Sequence, residues 1–241
     1  MNWVTRPAEV AWGLYALVCF AIACIFSLFV TILVPGGEQR KRLTTWASKM
    51  IFVLGRIPVT VRGIDNLSSD SCVVVANHAS YIDGVLLKGY LPPRFGFVVK
   101  GEMRTVPVVS FLLRRCGAKF VDRNQGSKSS ADARQLIRAA QGGESLGFFP
   151  EGTFWREPGI RRFRAGAFLV ASKGNLPVVP IAISGTRRML ASGMRMPRRA
   201  NLLIDILPAI TPGDDSIANS RQLAEAARRQ IIAATGEPDI D

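Results

Sequence analysis

From Val10 to Val34 the chain runs for 25 residues without a charge, VAWGLYALVCFAIACIFSLFVTILV. As a helix this run is about 37 Å long, enough to cross the hydrocarbon core of a bilayer. A core helix of a soluble fold is apolar on one stripe, whereas this run is apolar all round. A secretory signal has a shorter apolar region and a small-residue cleavage site, but here the run ends in Pro35-Gly36-Gly37 and the bases Arg40-Lys41-Arg42. The expectation is therefore an uncleaved membrane anchor. The bases beyond it favour a body on the cytoplasmic side. Residues 43–54 are also largely apolar, so the anchor is either one spanning helix or a helical hairpin set into one leaflet.

After Gly63 the pattern changes to short apolar runs alternating with amphipathic stretches, the signature of an α/β domain. Strands are predicted at 72–76, 95–99, 118–121, 146–149, 177–183 and 202–207. Helices are predicted at 83–90, 108–115, 130–141, 165–173 and 220–235, the last capped by Ser220 and stopped by Gly236. The organisation read from these patterns is an anchor over 1–36, an interfacial basic segment over 37–62, an α/β domain over 63–212 and a C-terminal helix and tail over 213–241.

Charge is uneven along the chain. Against 31 Lys+Arg stand 18 Asp+Glu, a net of +13, and the excess lies in the middle. Residues before 40 and after 199 are net acidic. A basic body beside an apolar anchor fits an anionic membrane surface. A membrane-anchored nucleic-acid binder is the alternative from a different class. Against it, the aromatics are not interleaved with the bases as a stacking platform requires, so no nucleic-acid partner is expected. The four cysteines form no C-x-x-C pair and there is one histidine, so no metal site is expected and buried free thiols are the default.

G-x-x-x-x-G-K-[ST] is missing. The only imidazole, His78, stands where an apolar strand ends, followed at five residues by Asp83. Strand ends are where α/β folds place their sites. If a turn brings the two together, the carboxylate fixes the imidazole tautomer and the other ring nitrogen is free to take a proton. A second apolar strand ends in Phe149-Pro150-Glu151-Gly152-Thr153, placing a carboxylate and a hydroxyl in another turn. Lys100, Arg123, Arg156, Arg161, Arg162 and Arg164 supply bases able to hold a phosphate.

These segments resemble the glycerolipid acyltransferase family, which includes the bacterial 1-acyl-glycerol-3-phosphate acyltransferases. The N-H-x-S-x-x-D block stands as Asn77 to Asp83. Lys100, Glu102 and Pro107 follow, then Gly117 to Arg123, the F-P-E-G-T block at Phe149 to Thr153, and Val178 to Ile183. The resemblance implies a single acyltransferase domain with a mixed sheet flanked by helices. It implies transfer of a fatty acyl group from acyl-CoA or acyl carrier protein to the free hydroxyl of a lysolipid, foremost 1-acyl-glycerol-3-phosphate, without an acyl-enzyme or a cofactor. His78 is then the base and Asp83 its orienting partner. Lys100 and Arg123 hold the acceptor phosphate, and Glu151, Gly152 and Thr153 shape the acceptor site. Many members acting on lysophosphatidic acid have arginine after E-G-T, where this chain has Phe154, Trp155 and then Arg156 as a partial replacement. That departure keeps other acceptors open, lyso-ornithine lipid or another lysophospholipid among them. The resemblance implies a bacterial inner-membrane enzyme facing the cytoplasm and fixes no oligomeric state.

Overall fold

A computed structural model describes residues 7–67, 70–122, 126–212 and 216–240. Two helices open the chain, α1 (Pro7–Leu33) and α2 (Gly37–Leu54), joined at Pro35 and Gly36. They form an antiparallel hairpin. Near its open end the Trp12 indole donates to the Gly55 carbonyl at 3.1 Å and the Tyr15 hydroxyl to the Leu54 carbonyl at 2.9 Å. Near its closed end Arg40 donates to the carbonyls of Val34 and Pro35, satisfying groups that α1 leaves open at its C-terminus. Arg40 is thus a helix cap, and Lys41 pairs with Glu38 at 2.8 Å.

The hairpin is built inside out relative to a soluble amphipathic pair. α1 buries Gly13, Ala16, Cys19, Ala23 and Ser27, small residues spaced three and four apart, and exposes Leu14, Val18, Ile22, Ile25, Phe29 and Ile32. Small residues let the helix backbones approach, while the bulky ones form an apolar face far larger than a lone exposed leucine. α1 is the one described helix long and apolar enough to cross a membrane.

The remaining elements are β1 (Val59–Arg62), β2 (Val73–Ala76), α3 (Asp83–Tyr90), β3 (Gly96–Lys100), α4 (Pro107–Arg115), β4 (Lys119–Val121), α5 (Gly126–Gln141), β5 (Leu146–Phe148), β6 (Ile160–Arg161), α6 (Gly166–Gly174), β7 (Val178–Ser184), α7 (Thr186–Leu190), β8 (Leu202–Ile206), α8 (Ser216–Thr235) and β9 (Asp239–Ile240). Among the described residues seven strands form one sheet in the order β1-β8-β7-β2-β5-β3-β4, mixed because β8 runs antiparallel to β7 while the other pairs are parallel. β2 lies at its centre. All four of its residues are buried, as expected for a Val-rich strand covered on both faces. One face packs on α1, α2 and α3 through Phe52, Leu86, Leu87 and Ile183. The other packs on α6 and α8 through Val73, Val75, Phe168, Ala227 and Ile231.

Three details differ from the sequence reading. β1 falls within 37–62, the stretch read as interfacial, yet it pairs in parallel with β8. β6 and β9, two residues each, form a separate ladder that the pattern did not reveal. α8 begins at Ser216, so Ser220 sits inside the helix and not at its cap, while Gly236 stops the helix at φ +66° as expected. The four cysteines are free; Cys19 and Cys72 are buried, Cys24 and Cys116 half-buried.

Candidate active site

The C-terminal ends of β2 and β5 are neighbours, because the two strands pair in parallel from Val73↔Leu146 to Val75↔Phe148. Everything that follows β2 is held by main-chain contacts. Asn77 extends the β2–β7 ladder by one step with its side chain: its amide nitrogen donates to the Ile183 carbonyl at 3.0 Å and its oxygen accepts the Ile183 N–H at 2.7 Å. Ser80 donates its hydroxyl to the Leu190 carbonyl at 2.6 Å. Between these two anchors the chain turns and enters α3 at Asp83.

That turn brings the expected pair together. His78 Nδ1 and Asp83 Oδ2 are 2.8 Å apart, and the same oxygen accepts the N–H groups of Ala79 at 2.7 Å and Ser80 at 2.8 Å. Three donors converge on one carboxylate oxygen. The carboxylate is fully buried and at the N-terminus of α3, where the helix dipole favours an anion. His78 keeps 19% of its side-chain surface accessible. Its ring stacks on Phe149, with centroids 4.3 Å apart, and tilts against Phe154 at 4.5 Å. Tyr81 meets Phe154 edge-on at 4.7 Å. The imidazole is thus oriented from one nitrogen and in contact with two aromatic rings.

Glu151 does something the sequence did not disclose. One of its oxygens accepts the His78 N–H at 2.8 Å and the other the Arg161 N–H at 3.1 Å. The carboxylate therefore ties the histidine turn to the strand β6. Burial pushes its pKa above the usual carboxylate range, and the two main-chain donors pull it partly back. Gly152 is buried with φ +84°, a left-handed conformation suited to glycine, and its N–H returns to the Phe149 carbonyl at 3.0 Å. Thr153 follows, half-buried.

The expected phosphate-binding bases are less tightly gathered. Lys100 is exposed at the C-terminal end of β3. Arg156 is exposed and lines a groove with Glu9, Met194, Arg195 and Met196, beside the start of α1. Arg123 lies outside the described residues. Arg161 stacks its guanidinium over Trp155 at 4.5 Å. Two residues of this region carried no sequence signal: Arg228, buried in α8, donates to the carbonyls of Ile160 and Arg161 and pairs with Asp239, so it supports the strand that Glu151 holds.

Comparison with known proteins places this arrangement. The chain is 26% identical over 223 residues to the 1-acyl-sn-glycerol-3-phosphate acyltransferase of Saccharomyces cerevisiae, covering 89% of this chain and 72% of that protein. It is 32% identical over 187 residues to a protein of the same description from Chlamydomonas reinhardtii, covering 76% of this chain and about half (54%) of the algal protein. The crystal structure of the 1-acyl-sn-glycerophosphate (LPA) acyltransferase PlsC from Thermotoga maritima superposes with a TM-score of 0.76 at 23% identity, covering 94% of this chain and 96% of that one, and so shares the fold. The family model described as Acyltransferase matches residues 58–184, from the start of β1 to the end of β7, and the chain belongs to that acyltransferase family.

Proposed function

We propose that the protein transfers a fatty acyl group from acyl-CoA or acyl carrier protein to the free hydroxyl of 1-acyl-glycerol-3-phosphate, giving phosphatidic acid at a membrane surface. The observation that carries this reading is the His78–Asp83 pair, with one imidazole nitrogen held by a buried carboxylate and the ring still accessible. Nε2 takes the proton of the acceptor hydroxyl as the oxygen attacks the thioester carbonyl. The tetrahedral intermediate collapses with loss of the thiolate, which the imidazolium reprotonates. Asp83 stabilises the transient imidazolium and fixes the tautomer that leaves Nε2 basic. Glu151 positions the histidine main chain, and Lys100, Arg123 and Arg156 attract the acceptor phosphate.

The relatives' descriptions supply the acceptor class. The exposed apolar face of α1 supports lodging in a bilayer, and the bases Arg40-Lys41-Arg42 beyond it favour a body on the cytoplasmic side of an inner membrane. A cavity of about 440 Å³ lies between the hairpin and the sheet, lined by Tyr81, Gly84, Val85, Phe97 and Leu112, and it is apolar and within the usual size of ligand pockets. Tyr81 and Gly84 flank the catalytic turn, which suits the cavity to the acyl chain of the donor. Phe154 against His78, where arginine is common, favours a parallel reading with a different lysolipid acceptor.

Membranes containing the protein should convert 1-acyl-glycerol-3-phosphate and a thioester donor to phosphatidic acid, and His78→Ala should lose nearly all turnover. A screen of lysolipid acceptors against both donor types tests the acceptor. Full activity of His78→Ala, or no transfer to any lysolipid, would overturn the reading.

A further inference from the structure

The wall of that cavity holds one group out of keeping with the rest. Gly84, Val85 and Lys88 face it from α3, and Gly84 to Lys88 is one helical turn, about 6 Å further from the catalytic turn. Lys88 Nζ is buried and has no hydrogen-bond partner among the described residues. Two polar side chains of the same wall are satisfied. Thr44 Oγ1 donates to the Arg40 carbonyl at 2.8 Å and Ser48 Oγ to the Thr44 carbonyl at 2.9 Å, each along its own helix. Neither neighbour of opposite sign serves Lys88. Burial pushes the Cys116 thiol above its usual pKa, so it stays neutral, and Glu38 pairs with Lys41.

A buried amine without an acceptor is costly, and a saturated hydrocarbon lying against it leaves the cost in place. An oxygen at the same depth removes it. Burial lowers the Lys88 pKa, yet the amine offers N–H donors in either protonation state. Methionine would line the same volume without any penalty.

We propose that Lys88 recognises a hydroxyl carried by the acyl chain of the donor, several carbons from the thioester, making this cavity selective for oxygenated over saturated chains. The proposal rests on the acyltransferase reading and on the cavity holding the donor chain. The recognition is a hydrogen bond between the amine and the chain oxygen, with no covalent step.

The test compares kcat/KM for acyl-CoA donors of equal length, saturated, hydroxylated beside the thioester, or hydroxylated in mid-chain, with one saturated lysolipid acceptor. A second arm puts the mid-chain hydroxyl on the acceptor's own chain. The wild-type enzyme should favour the mid-chain hydroxylated donor about tenfold over the saturated one. Lys88→Met should bring that ratio to about one, and Lys88→Gln, which keeps a donor, should retain part of it. Thermal melts of both variants report whether they fold. Equal donor ratios in wild type and folded Lys88→Met, or a preference that appears only when the hydroxyl is on the acceptor, would overturn the proposal. No transfer of any chain by the wild type would overturn the acyltransferase reading as well.

Discussion

Asp83→Asn separates the electrostatic role of the carboxylate from its structural one. To keep the turn, the asparagine oxygen must occupy the Oδ2 position and accept from His78, Ala79 and Ser80. Its NH2 then occupies the position of Oδ1, a buried atom with no partner among the described residues. That orphaned donor costs roughly 1–3 kcal/mol of stability. The kinetic loss is larger. In the proposed mechanism an imidazolium forms beside a carboxylate during proton transfer, and two unit charges about 4 Å apart attract by about 4 kcal/mol at an effective dielectric constant of about 20. Removing one charge raises the barrier by that amount, roughly a thousandfold in kcat. Thiol release at saturating lysophosphatidic acid and acyl-CoA measures kcat, and a thermal melt measures stability in parallel. The double variant His78→Ala, Asp83→Asn should be no slower than His78→Ala alone, because the two side chains act as one unit. If Asp83→Asn kept more than a tenth of wild-type kcat while melting normally, the carboxylate would not be stabilising an imidazolium and the general-base mechanism would fail.

Other perturbations probe the supports of the pair. Glu151→Gln can satisfy only one of the two main-chain donors, so kcat should fall while the variant remains folded. Its pH response should change too: a carboxyl raised by burial contributes stability fully present below its unfolded value, near 4.5, and lost as pH rises through the higher folded value. Melting temperature measured against pH should therefore decline less for Glu151→Gln than for wild type across that window; parallel curves would refute the assignment. Arg228→Ala removes a buried guanidinium and strips the Ile160 and Arg161 carbonyls of a donor, and urea unfolding should show a loss of about 3 kcal/mol. Phe154→Arg removes the ring contacts on His78 and Tyr81, worth about 0.5–1.5 kcal/mol each, and should lower KM for a phosphate-bearing acceptor while reducing kcat several-fold. An unchanged KM would show that this position does not face the acceptor.

What could be read from the residues depended on how local each feature is. Central strands such as β2 and β7 announce themselves because burial on both faces demands an unbroken run of branched apolar side chains. β1 does not: half of it is exposed, and Arg56 and Arg62 at its flanks give it the look of a basic interfacial segment. β6 and β9 are too short to show any periodicity. His78 and Asp83 are five residues apart on one turn, so their meeting was legible. The grip of Glu151 was not, since it closes on backbone N–H groups, which every residue except proline carries. Arg156 drew attention by its charge and its place after E-G-T, yet it lines a groove beside the start of α1, where sequence spacing carries no information.

The hairpin and the His78–Asp83 turn are linked through one glycine. A Cβ on Gly89 would lie 2.8 Å from the Lys49 backbone nitrogen and 3.0 Å from its Cα, so α3 and α2 touch backbone to backbone at this point. Lys49 and Ser48 belong to α2, and Asp83 begins α3, so whatever displaces α2 also displaces the helix that carries the carboxylate. Gly89→Ala must push the hairpin away, at a cost of roughly 1–3 kcal/mol, and should widen the cavity between α2 and the sheet. The proposed lodging of α1 in a bilayer provides a control, because a bilayer gripping its exposed face would resist that displacement. Thiol-release activity of Gly89→Ala should therefore fall more in detergent than in phospholipid vesicles. Equal losses in the two would mean that the contact supports folding alone and does not couple the anchor to the site.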